Sequence, residues 1–482
     1  MEGYLIRELI EATSGKIIQG DLKSLINQIS IDSRTLLPGD LFFALIGPNF
    51  DGHNFVLDAL NKGASGVIIC RNFDDIVKKK LTDKNKIIIE VKDTLTALQD
   101  WAKYCKNKYK TYNICITGSN GKTTTKEITD SILSLKYSLL KTSGNFNNEI
   151  GIPLTLFQLK NIHKMLLVEM GMRGLGEIKN LTNLVPPNLA VITNIGDAHI
   201  GLLGSKKNIF KAKSELLEAL DKDGIAVLNR DDPYFFKMQE IAKDKRIFTF
   251  GIEKESDIMA SNIKIIKDEG MKFNLKLGDS EKKEIFFPLL GIHNLYNALA
   301  ASAASFALEV EPDLIERGLT TFKPLKMHMY LNTFHNDIKI LNDSYNASPL
   351  SVKRALATLT EIADNNRKIA VLGDMLELGE KTDFYHKKIG ENIVKLSIDI
   401  LITFGKGGKI IAQSALKKGM KSSCVFSFKK SEKKILFRNL INIIKPKDFI
   451  LLKGSREMKM EEVLRYLKEK DKKGFFEGEM ND

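Results

Sequence analysis

Residues 113–125, which read NICITGSNGKTTT, constrain the fold of this chain more than any other segment. A short apolar run is followed by a glycine turn, a lysine and three threonines, which predicts a strand, a tight loop and the start of a helix. Backbone N–H groups and the positive end of the helix would then face one point and form a phosphate site. Lys122 would place a positive charge on the terminal phosphates, and the Thr123 hydroxyl would ligate Mg²⁺.

The loop differs from the usual phosphate-loop pattern GxxxxGK[ST], because Ile116 stands where the first glycine would be. A short glycine loop also occurs in ordinary strand–helix turns, so the loop alone leaves both interpretations open. The strand before it and the Lys-Thr-Thr after it favour a nucleotide site. The predicted nucleotide-binding residues of the loop are Gly118, Ser119, Asn120, Gly121, Lys122, Thr123 and Thr124.

The pattern of apolar runs predicts an α/β fold in three domains. Continuous apolar runs are typical of parallel strands covered by helices on both faces, whereas the alternating run 246–289 predicts an antiparallel extension. The runs lie at 113–117, 165–168, 189–193, 224–228, 368–372, 398–404 and 449–452. Linkers at 105–111 and 322–326 separate a small α/β domain (1–108), a central phosphate-loop domain with a mostly parallel sheet (109–322) and a Rossmann-like domain (323–482).

The net charge of +13 is compatible with attraction of polyanionic small substrates, with a lysine-rich composition, or with nucleic-acid binding. The lysines are dispersed among acids and no aromatic-basic interleaving occurs, which weighs against nucleic acid. The four cysteines lack metal-ligand spacing. The N-terminus has no leader-like segment and no run approaches the roughly 20 apolar residues of a membrane span. A cytoplasmic monomer without a membrane span is therefore expected.

Polar residues follow the predicted central strands, at the edge where ligands bind in open α/β sheets. Glu169 follows the run 165–168 and would be an oxygen ligand for Mg²⁺, although a carboxylate there can also be an ordinary surface group. His199 lies in a glycine-flanked loop after the run 189–193, and a single histidine is often structural. Both residues are candidates for the catalytic and metal site.

Two later segments place further polar residues at the starts of helices. His293, Asn294 and Asn297 share one helix face, where they would either cap the helix or hydrogen-bond a nucleobase or ribose. Asp343 and Asn346 are also candidate nucleotide contacts. The adjoining Ser348-Pro349 pair is typical of a helix N-cap followed by proline at the first helical position.

As a set, these motifs resemble the Mur ligases, the ATP-dependent amide-forming enzymes of peptidoglycan precursor synthesis. The sequences of four segments most resemble those of the members that add D-alanyl-D-alanine to UDP-N-acetylmuramoyl-tripeptide. These segments are residues 142–153, 343–349, 372–375 and 453–456. The resemblance implies that Ser33 and Arg34 bind the UDP part of that substrate and that Asn145 and Asn148 also contact substrate. It further implies ATP binding in the central domain and activation of the tripeptide carboxylate as an acyl phosphate, which the amine of D-alanyl-D-alanine attacks.

The resemblance also implies two Mg²⁺ ions held by Thr123, Glu169, His199 and a carbamylated lysine at Lys213. The catalytic set is then Lys122, Glu169, His199 and Lys213. Lys213 could equally be a solvated helix lysine, but an unmodified ammonium would repel the cation. One departure is that His328 stands where the family usually has an arginine for the γ-phosphate, so that contact is weaker or moves to Lys326.

Three other functions are compatible with parts of this sequence. A different amide ligase of the same superfamily, of the folylpolyglutamate or diaminopimelate-adding type, is disfavoured by the Asp-Ser-Tyr-Asn motif at 343–346. A nucleotide-gated nucleic-acid binder would show steeply salt-dependent binding. A catalytically inactive scaffold is disfavoured by the intact Lys122, Glu169 and His199.

Overall fold

The computed structural model describes residues 3–70 and 85–474, in which strands and helices alternate as the α/β prediction requires. The chain divides into two compact units. The first contains Met1–Cys115, Tyr137–Met172 and Glu177–Asn188, and the second contains Ile116–Lys136, Arg173–Gly176 and Leu189–Asp482. The chain leaves the first unit for the second within the strand Tyr112–Thr117.

The first unit is built on a five-stranded sheet that is parallel except at one edge. Its strand order is Lys16–Gln19, Ile87–Val91, Gly66–Cys70, Leu41–Phe43, Ile29–Ser30, and only the first pair is antiparallel. Two further strands, Leu139–Lys141 and Met165–Glu169, pair in parallel. Among the residues described, the short strands of this unit are Tyr4–Leu5, Leu25–Ile26, Ile46–Gly47 and Phe50–Asp51. The α-helices among them are Ile6–Thr13, Val56–Asn61, Thr94–Asn107, Gly151–Leu156 and Glu177–Leu184.

The second unit begins with a parallel set, Leu189–Ile192, Ile225–Asn229 and Arg246–Gly251. The prediction of an antiparallel extension from residue 246 is wrong for its first strand, because the helix Phe235–Ile241 returns the chain to the parallel direction. The antiparallel part consists of Ile258–Ile266, Gly270–Leu277 and Lys283–Phe287.

The rest of the second unit carries a six-stranded sheet with the alternating helices of a Rossmann-like fold. Its order is Tyr330–Thr333, Lys339–Asp343, Phe449–Lys453, Lys368–Gly373, Ile400–Phe404, Val425–Phe428, parallel except for the first pair. The α-helices of the second unit are Lys122–Leu133, Ile200–Leu203, Lys206–Glu218, Phe235–Ile241, Ile292–Ala307, Pro312–Thr320, Pro349–Ala363, Thr382–Lys395, Lys406–Lys417, Lys433–Ile443 and Glu461–Asp471.

Five of the seven strands predicted as continuous apolar runs are buried along their length, as expected of parallel strands. The other two, Tyr112–Thr117 and Lys368–Gly373, are buried beyond their first residue. The first predicted linker, 105–111, is wrong at its start, because the helix Thr94–Asn107 continues through Cys105 and buries it. Within the described residues, no helix combines the length and the apolar character that crossing a bilayer requires. The three predicted domain boundaries stay a prediction.

Trp101, the single tryptophan of the chain, lies fully buried in the first unit. The ring of Tyr4 meets it edge-on at 5.3 Å between centroids, and Tyr104 stacks on it at 5.4 Å. Its indole Nε1 has no hydrogen-bond partner among the residues the structure describes. The contribution of Trp101 to stability is therefore packing rather than hydrogen bonding.

We expect Trp101→Ala to lower the free energy of unfolding by about 3–5 kcal/mol, because it opens a cavity among aromatic rings. Trp101→Phe should cost clearly less, since a ring remains and no hydrogen bond is lost. Urea unfolding followed by far-UV circular dichroism measures both variants. Equal losses for the two variants would contradict this account of the core.

Candidate nucleotide site

The glycine loop has the local geometry that the sequence predicts for a phosphate site. Gly118 and Gly121 have φ angles of 151° and 84°, values that residues with a side chain rarely adopt. The helix Lys122–Leu133 begins directly afterwards. A Cβ atom on Gly118 would collide with Thr193 Oγ1, and one on Gly121 would collide with Asn297. Both glycines are required for this close approach of the backbone.

The segment after the strand Leu189–Ile192 holds this loop in place through hydrogen bonds. Thr193 Oγ1 donates to the Asn120 carbonyl at 2.7 Å, and the Asn120 N–H donates to Asn194 Oδ1 at 3.2 Å. The Gly196 N–H donates to Ser119 Oγ at 2.8 Å. The predicted loop residues Ser119 and Asn120 thus serve first to hold the shape of the loop.

Two lysines from distant parts of the chain converge on one carbonyl. Lys122 Nζ and Lys213 Nζ each donate to the Gly118 oxygen at 2.9 Å. Lys213 lies on the helix Lys206–Glu218 and is 1% exposed. Burial, and secondarily the charge of Lys122, lower the pKa of Lys213 well below its usual value. The structure thus brings these two predicted catalytic residues together, beside the N-terminus of a helix.

Residues of the C-terminal part of the second unit reach the same loop. Ser348 caps the helix Pro349–Ala363, as the Ser-Pro pair predicts, by accepting a hydrogen bond from the Ser351 N–H. Its hydroxyl also donates to Asn120 Oδ1 at 2.8 Å. Thr123 and Thr124 lie in the first turn of the helix that follows the loop, and Thr124 is buried.

His199 contacts an acid that the sequence analysis did not single out. Its Nδ1 lies 2.6 Å from Glu377 Oε2, and this contact lowers the pKa of the Glu377 carboxyl. The Gly201 N–H donates to the Glu377 carbonyl at 3.0 Å. Glu377 stands in the motif after the strand Lys368–Gly373, but no spacing in the sequence relates it to His199.

The polar start of the helix Ile292–Ala307 is buried. Asn294 Nδ2 donates to the Leu290 carbonyl at 2.8 Å, and Asn297 Nδ2 donates to Asn294 Oδ1 at 3.2 Å. Burial lowers the pKa of His293 to about 4, although the charge of Asp343 opposes this shift. The two asparagines support the capping interpretation, and their contact with a nucleotide stays a prediction.

Asp343 and Asn346 are engaged by Lys453 within the C-terminal part. Asp343 forms an ion pair with the buried Lys453, which also donates to the Asn346 carbonyl at 2.9 Å. The Met329 N–H donates to Asp343 Oδ1 at 3.3 Å. Earlier in the chain, His328 stacks on Tyr345 with ring centroids 4.4 Å apart.

In the first unit, Glu169 ends the strand Met165–Glu169 and is 2% exposed. Its N–H donates to Thr142 Oγ1 at 3.0 Å, and Asn147 Nδ2 donates to its Oε1 at 2.8 Å. Sequence reasoning missed Asn147, which lies between two predicted substrate residues and has no distinguishing pattern. Of those two, Asn148 accepts a hydrogen bond from the Gly151 N–H at the start of a helix, and Asn145 is exposed.

The other predicted substrate residues lie near the strand Ile29–Ser30. Ser33 is buried, and its carbonyl accepts a hydrogen bond from Lys62 Nζ at 3.0 Å. Arg34 is exposed and pairs with Asp32 at 2.6 Å, which lowers the pKa of Asp32 to about 2. An exposed guanidinium paired with one carboxylate keeps further donors for an anion.

Within the described residues, no three His, Cys, Asp or Glu side chains cluster as a metal site. The donors present suit a nucleotide with its cation better than a bare ion, because the loop backbone and two lysines face phosphate. Fold and site together define an α/β phosphate-loop protein with a Rossmann-like C-terminal part.

Comparisons with known proteins agree with that class and assign the chain to one family within it. Three family models match: Mur ligase family, catalytic domain, over residues 25–106; Mur ligase middle domain, over 116–305; and Mur ligase, glutamate ligase domain, over 328–456. The chain belongs to the Mur ligase family, which confirms the resemblance read from the motifs.

Individual relatives match almost end to end. The UDP-N-acetylmuramoyl-tripeptide--D-alanyl-D-alanine ligase of Bacillus subtilis (strain 168) is 36% identical over 463 residues, covering 96% of this chain and 98% of the relative. A crystal structure of MurF from Acinetobacter baumannii superposes with a TM-score of 0.86 at 31% identity, covering 97% and 99% of the two chains. MurF from Thermotoga maritima in complex with ADP gives 0.80 at 27%, covering 93% and 98%.

The low pKa of His293 predicts a specific pH dependence of stability. Below pH ~6.5 the unfolded chain protonates this residue while the folded protein does not, so stability falls as the pH drops towards about 4. Replacing His293 by Gln should remove on the order of 1–2 kcal/mol of the loss between pH 7.5 and 5. Urea unfolding of both proteins at the two pH values tests this, and identical losses would contradict it.

Proposed function

We propose that this protein is the ATP-dependent ligase that joins D-alanyl-D-alanine to UDP-N-acetylmuramoyl-tripeptide. The observation that carries the proposal is the convergence of Lys122 and Lys213 on the Gly118 carbonyl in a phosphate loop. The near-complete match to a ligase of that name supports the choice of substrates. The activity belongs to peptidoglycan precursor synthesis, and we propose the cytoplasm as its location and a monomer as its active form.

The proposed reaction has two steps. ATP transfers its γ-phosphoryl group to the terminal carboxylate of the tripeptide, which gives an acyl phosphate and ADP. The amine of D-alanyl-D-alanine then attacks the acyl carbon, and the tetrahedral intermediate expels phosphate and loses a proton. Phosphoryl transfer of this kind depends mainly on positioning and on charge neutralisation.

The loop residues Gly118–Thr124 would bind the phosphates through backbone N–H groups, and Lys122 would neutralise the γ-phosphate. Lys122 Nζ donates a hydrogen bond to the Gly118 carbonyl, so its ammonium lies beside the loop. His293, Asn294, Asn297, Asp343 and Asn346 are proposed to contact the base and ribose. MurF of Thermotoga maritima has a structure in complex with ADP, and this supports the proposal that the present chain also binds a nucleotide.

Metal ligation by Thr123, Glu169, His199 and Lys213, with two Mg²⁺ ions, is part of the same proposal. Bound Mg²⁺ would neutralise phosphate charge and polarise the transferred group. A neutral amine is the form that reacts with CO₂, and the buried Lys213 with its lowered pKa has that character. We propose that Lys213 becomes a carbamate, whose negative charge suits both the cation and the neighbouring Lys122.

Residues 1–108 are proposed to bind the UDP part of the substrate through Ser33 and Arg34, with Asn145 and Asn148 as further substrate contacts. Residues 109–322 would bind ATP, and residues 323–482 would help bring in D-alanyl-D-alanine. The exposed Arg34, which pairs with Asp32, suits a diphosphate better than a buried arginine would.

Donor dependence tests this function directly. Purified protein with ATP, Mg²⁺ and UDP-N-acetylmuramoyl-tripeptide should release phosphate when D-alanyl-D-alanine is added. It should not release phosphate with single amino acids such as glutamate. Lys122→Ala should abolish release while UDP-substrate binding stays within about twofold, because the lysine serves only the phosphates. Release with a single amino acid instead of the dipeptide would indicate another ligase of the superfamily. Equal loss of turnover and UDP-substrate binding would contradict the division of roles.

Carbamylation of Lys213 predicts a labelled adduct. Protein incubated with ¹³C-bicarbonate should show a carbamate carbon signal near neutral pH, and Lys213→Arg should lack it because a guanidinium does not form the adduct. Lys211, on the same helix, supplies the control substitution Lys211→Arg, which should keep the signal. A spectrum unchanged by Lys213→Arg would refute the assignment.

A further inference from the structure

The excess positive charge of the chain is concentrated in its last part. Residues 401–474 contain twenty Lys and Arg and seven Asp and Glu, so this segment alone accounts for the net charge of +13. The rest of the sequence has as many acidic as basic residues. Lysines occur among acids along the whole chain, but their excess is confined to this segment. A lysine-rich composition would spread the excess evenly, whereas a local excess indicates a charged surface.

Two helices of this segment, Lys433–Ile443 and Glu461–Asp471, cover one face of the six-stranded sheet. Alternate residues of the strands, such as Ile369 and Val371, share one hydrophobic core with leucines from both helices. The buried sides of the two helices are therefore fixed against the sheet, and their outer sides face away from it.

The two helices lie side by side and run in the same direction. Phe437 stacks on Tyr466 with ring centroids 5.0 Å apart, and Lys433 Nζ forms an ion pair with Glu462 at 2.7 Å. Both contacts join residues with the same separation along the chain, so equal steps along one helix match equal steps along the other. The outer sides of the helices therefore form one continuous surface.

The outer surface of this helix pair is basic. Lys434 and Arg438 lie one turn apart on the first helix, and Arg465 and Lys468 occupy neighbouring turns of the second. We call these four exposed residues the basic face. In the described residues of the two helices, Glu469 is the only exposed acid, and none of the four basic side chains forms an ion pair.

This surface suits an anionic bilayer better than a nucleic acid. Ile435 is 50% exposed beside Lys434, and a basic helix with an apolar contact is typical of adsorption to a membrane surface. Single-stranded nucleic acid would require aromatic rings on which its bases stack, but Phe437 and Tyr466 stack on each other. Two parallel helices packed on a sheet also present a level surface, which fits the plane of a bilayer.

We propose that the basic face is an interaction surface for anionic lipid headgroups, which holds the protein at a membrane surface without crossing it. Each lysine or arginine close to an anionic surface raises the affinity about fivefold. The attraction acts over roughly one Debye length and is therefore sensitive to salt. Lipid binding is independent of the proposed ligase activity, because the basic face contains none of the residues proposed to bind nucleotide or substrate.

Sedimentation of the full chain with vesicles tests this surface. The protein should bind vesicles of phosphatidylcholine mixed with phosphatidylglycerol at low salt, leave them at about 0.5 M salt, and not bind pure phosphatidylcholine. A fourfold variant, Lys434→Gln, Arg438→Gln, Arg465→Gln and Lys468→Gln, should lose binding, because each removed charge costs about fivefold. A matched control with the same net charge should still bind, and it removes four exposed lysines elsewhere: Lys222→Gln, Lys254→Gln, Lys272→Gln and Lys282→Gln.

Tryptophan fluorescence supplies a second measurement that leaves the basic residues intact. Trp101, the single tryptophan, is buried in the first unit, so a tryptophan added at an exposed position reports its own surroundings. Emission from Ile435→Trp should shift to the blue when anionic vesicles are added. Phe236→Trp, at a position that is 67% exposed on another helix, should show no shift.

Absence of binding to anionic vesicles would overturn the proposal, as would equal binding by the fourfold variant and its control. Stronger binding to single-stranded RNA than to vesicles, lost in the fourfold variant, would also overturn it and make the face a nucleic-acid site. If the fourfold variant fails to fold, the comparison of Ile435→Trp with Phe236→Trp decides the proposal by itself. A protein without ligase activity would contradict the proposed function alone, because vesicle binding needs neither nucleotide nor substrate.

Discussion

The Gly118 carbonyl and the two lysine side chains that donate to it are the interaction on which the rest of the site depends. Two cations beside one carbonyl repel each other, and burial makes the charged form of Lys213 costly. An arrangement of this kind is stabilised by an anion, which a triphosphate supplies, or by loss of charge on one amine. The same electrostatic conflict would favour both of the proposals made for this site, nucleotide binding and the modification of Lys213.

The loop that presents this carbonyl is shaped by neighbours far along the chain. Thr193 and Asn297 occupy the space where side chains on Gly118 and Gly121 would stand. Ser348, from the Rossmann-like part, is a further neighbour that holds the loop, through its hydrogen bond to Asn120. The phosphate loop and the C-terminal part share a direct hydrogen bond. A shift of the C-terminal part would therefore break or lengthen a bond that holds the loop.

Much of the fold could be predicted because parallel strands are apolar on both faces and end in polar residues. Glu169 closes a buried strand, as its position after an apolar run implied. The direction of the strand Arg246–Gly251 could not be read, because it begins the run 246–289, which alternates as a whole, while the preceding helix returns this strand to the parallel set. Asn147 and Glu377 were missed for a different reason, since each is defined by one partner distant in sequence.

The sequence by itself determined the chemistry of the site: a glycine loop, a lysine, hydroxyls and the strand-end acids and histidine that mark a Mur ligase. These are local patterns, and local patterns follow from backbone geometry and residue type. Only the tertiary structure decided that Lys213 meets Gly118 and that Glu377 meets His199. Such pairings depend on how strands and helices pack across hundreds of residues, and no periodicity in a single sequence encodes the distance between two side chains that far apart.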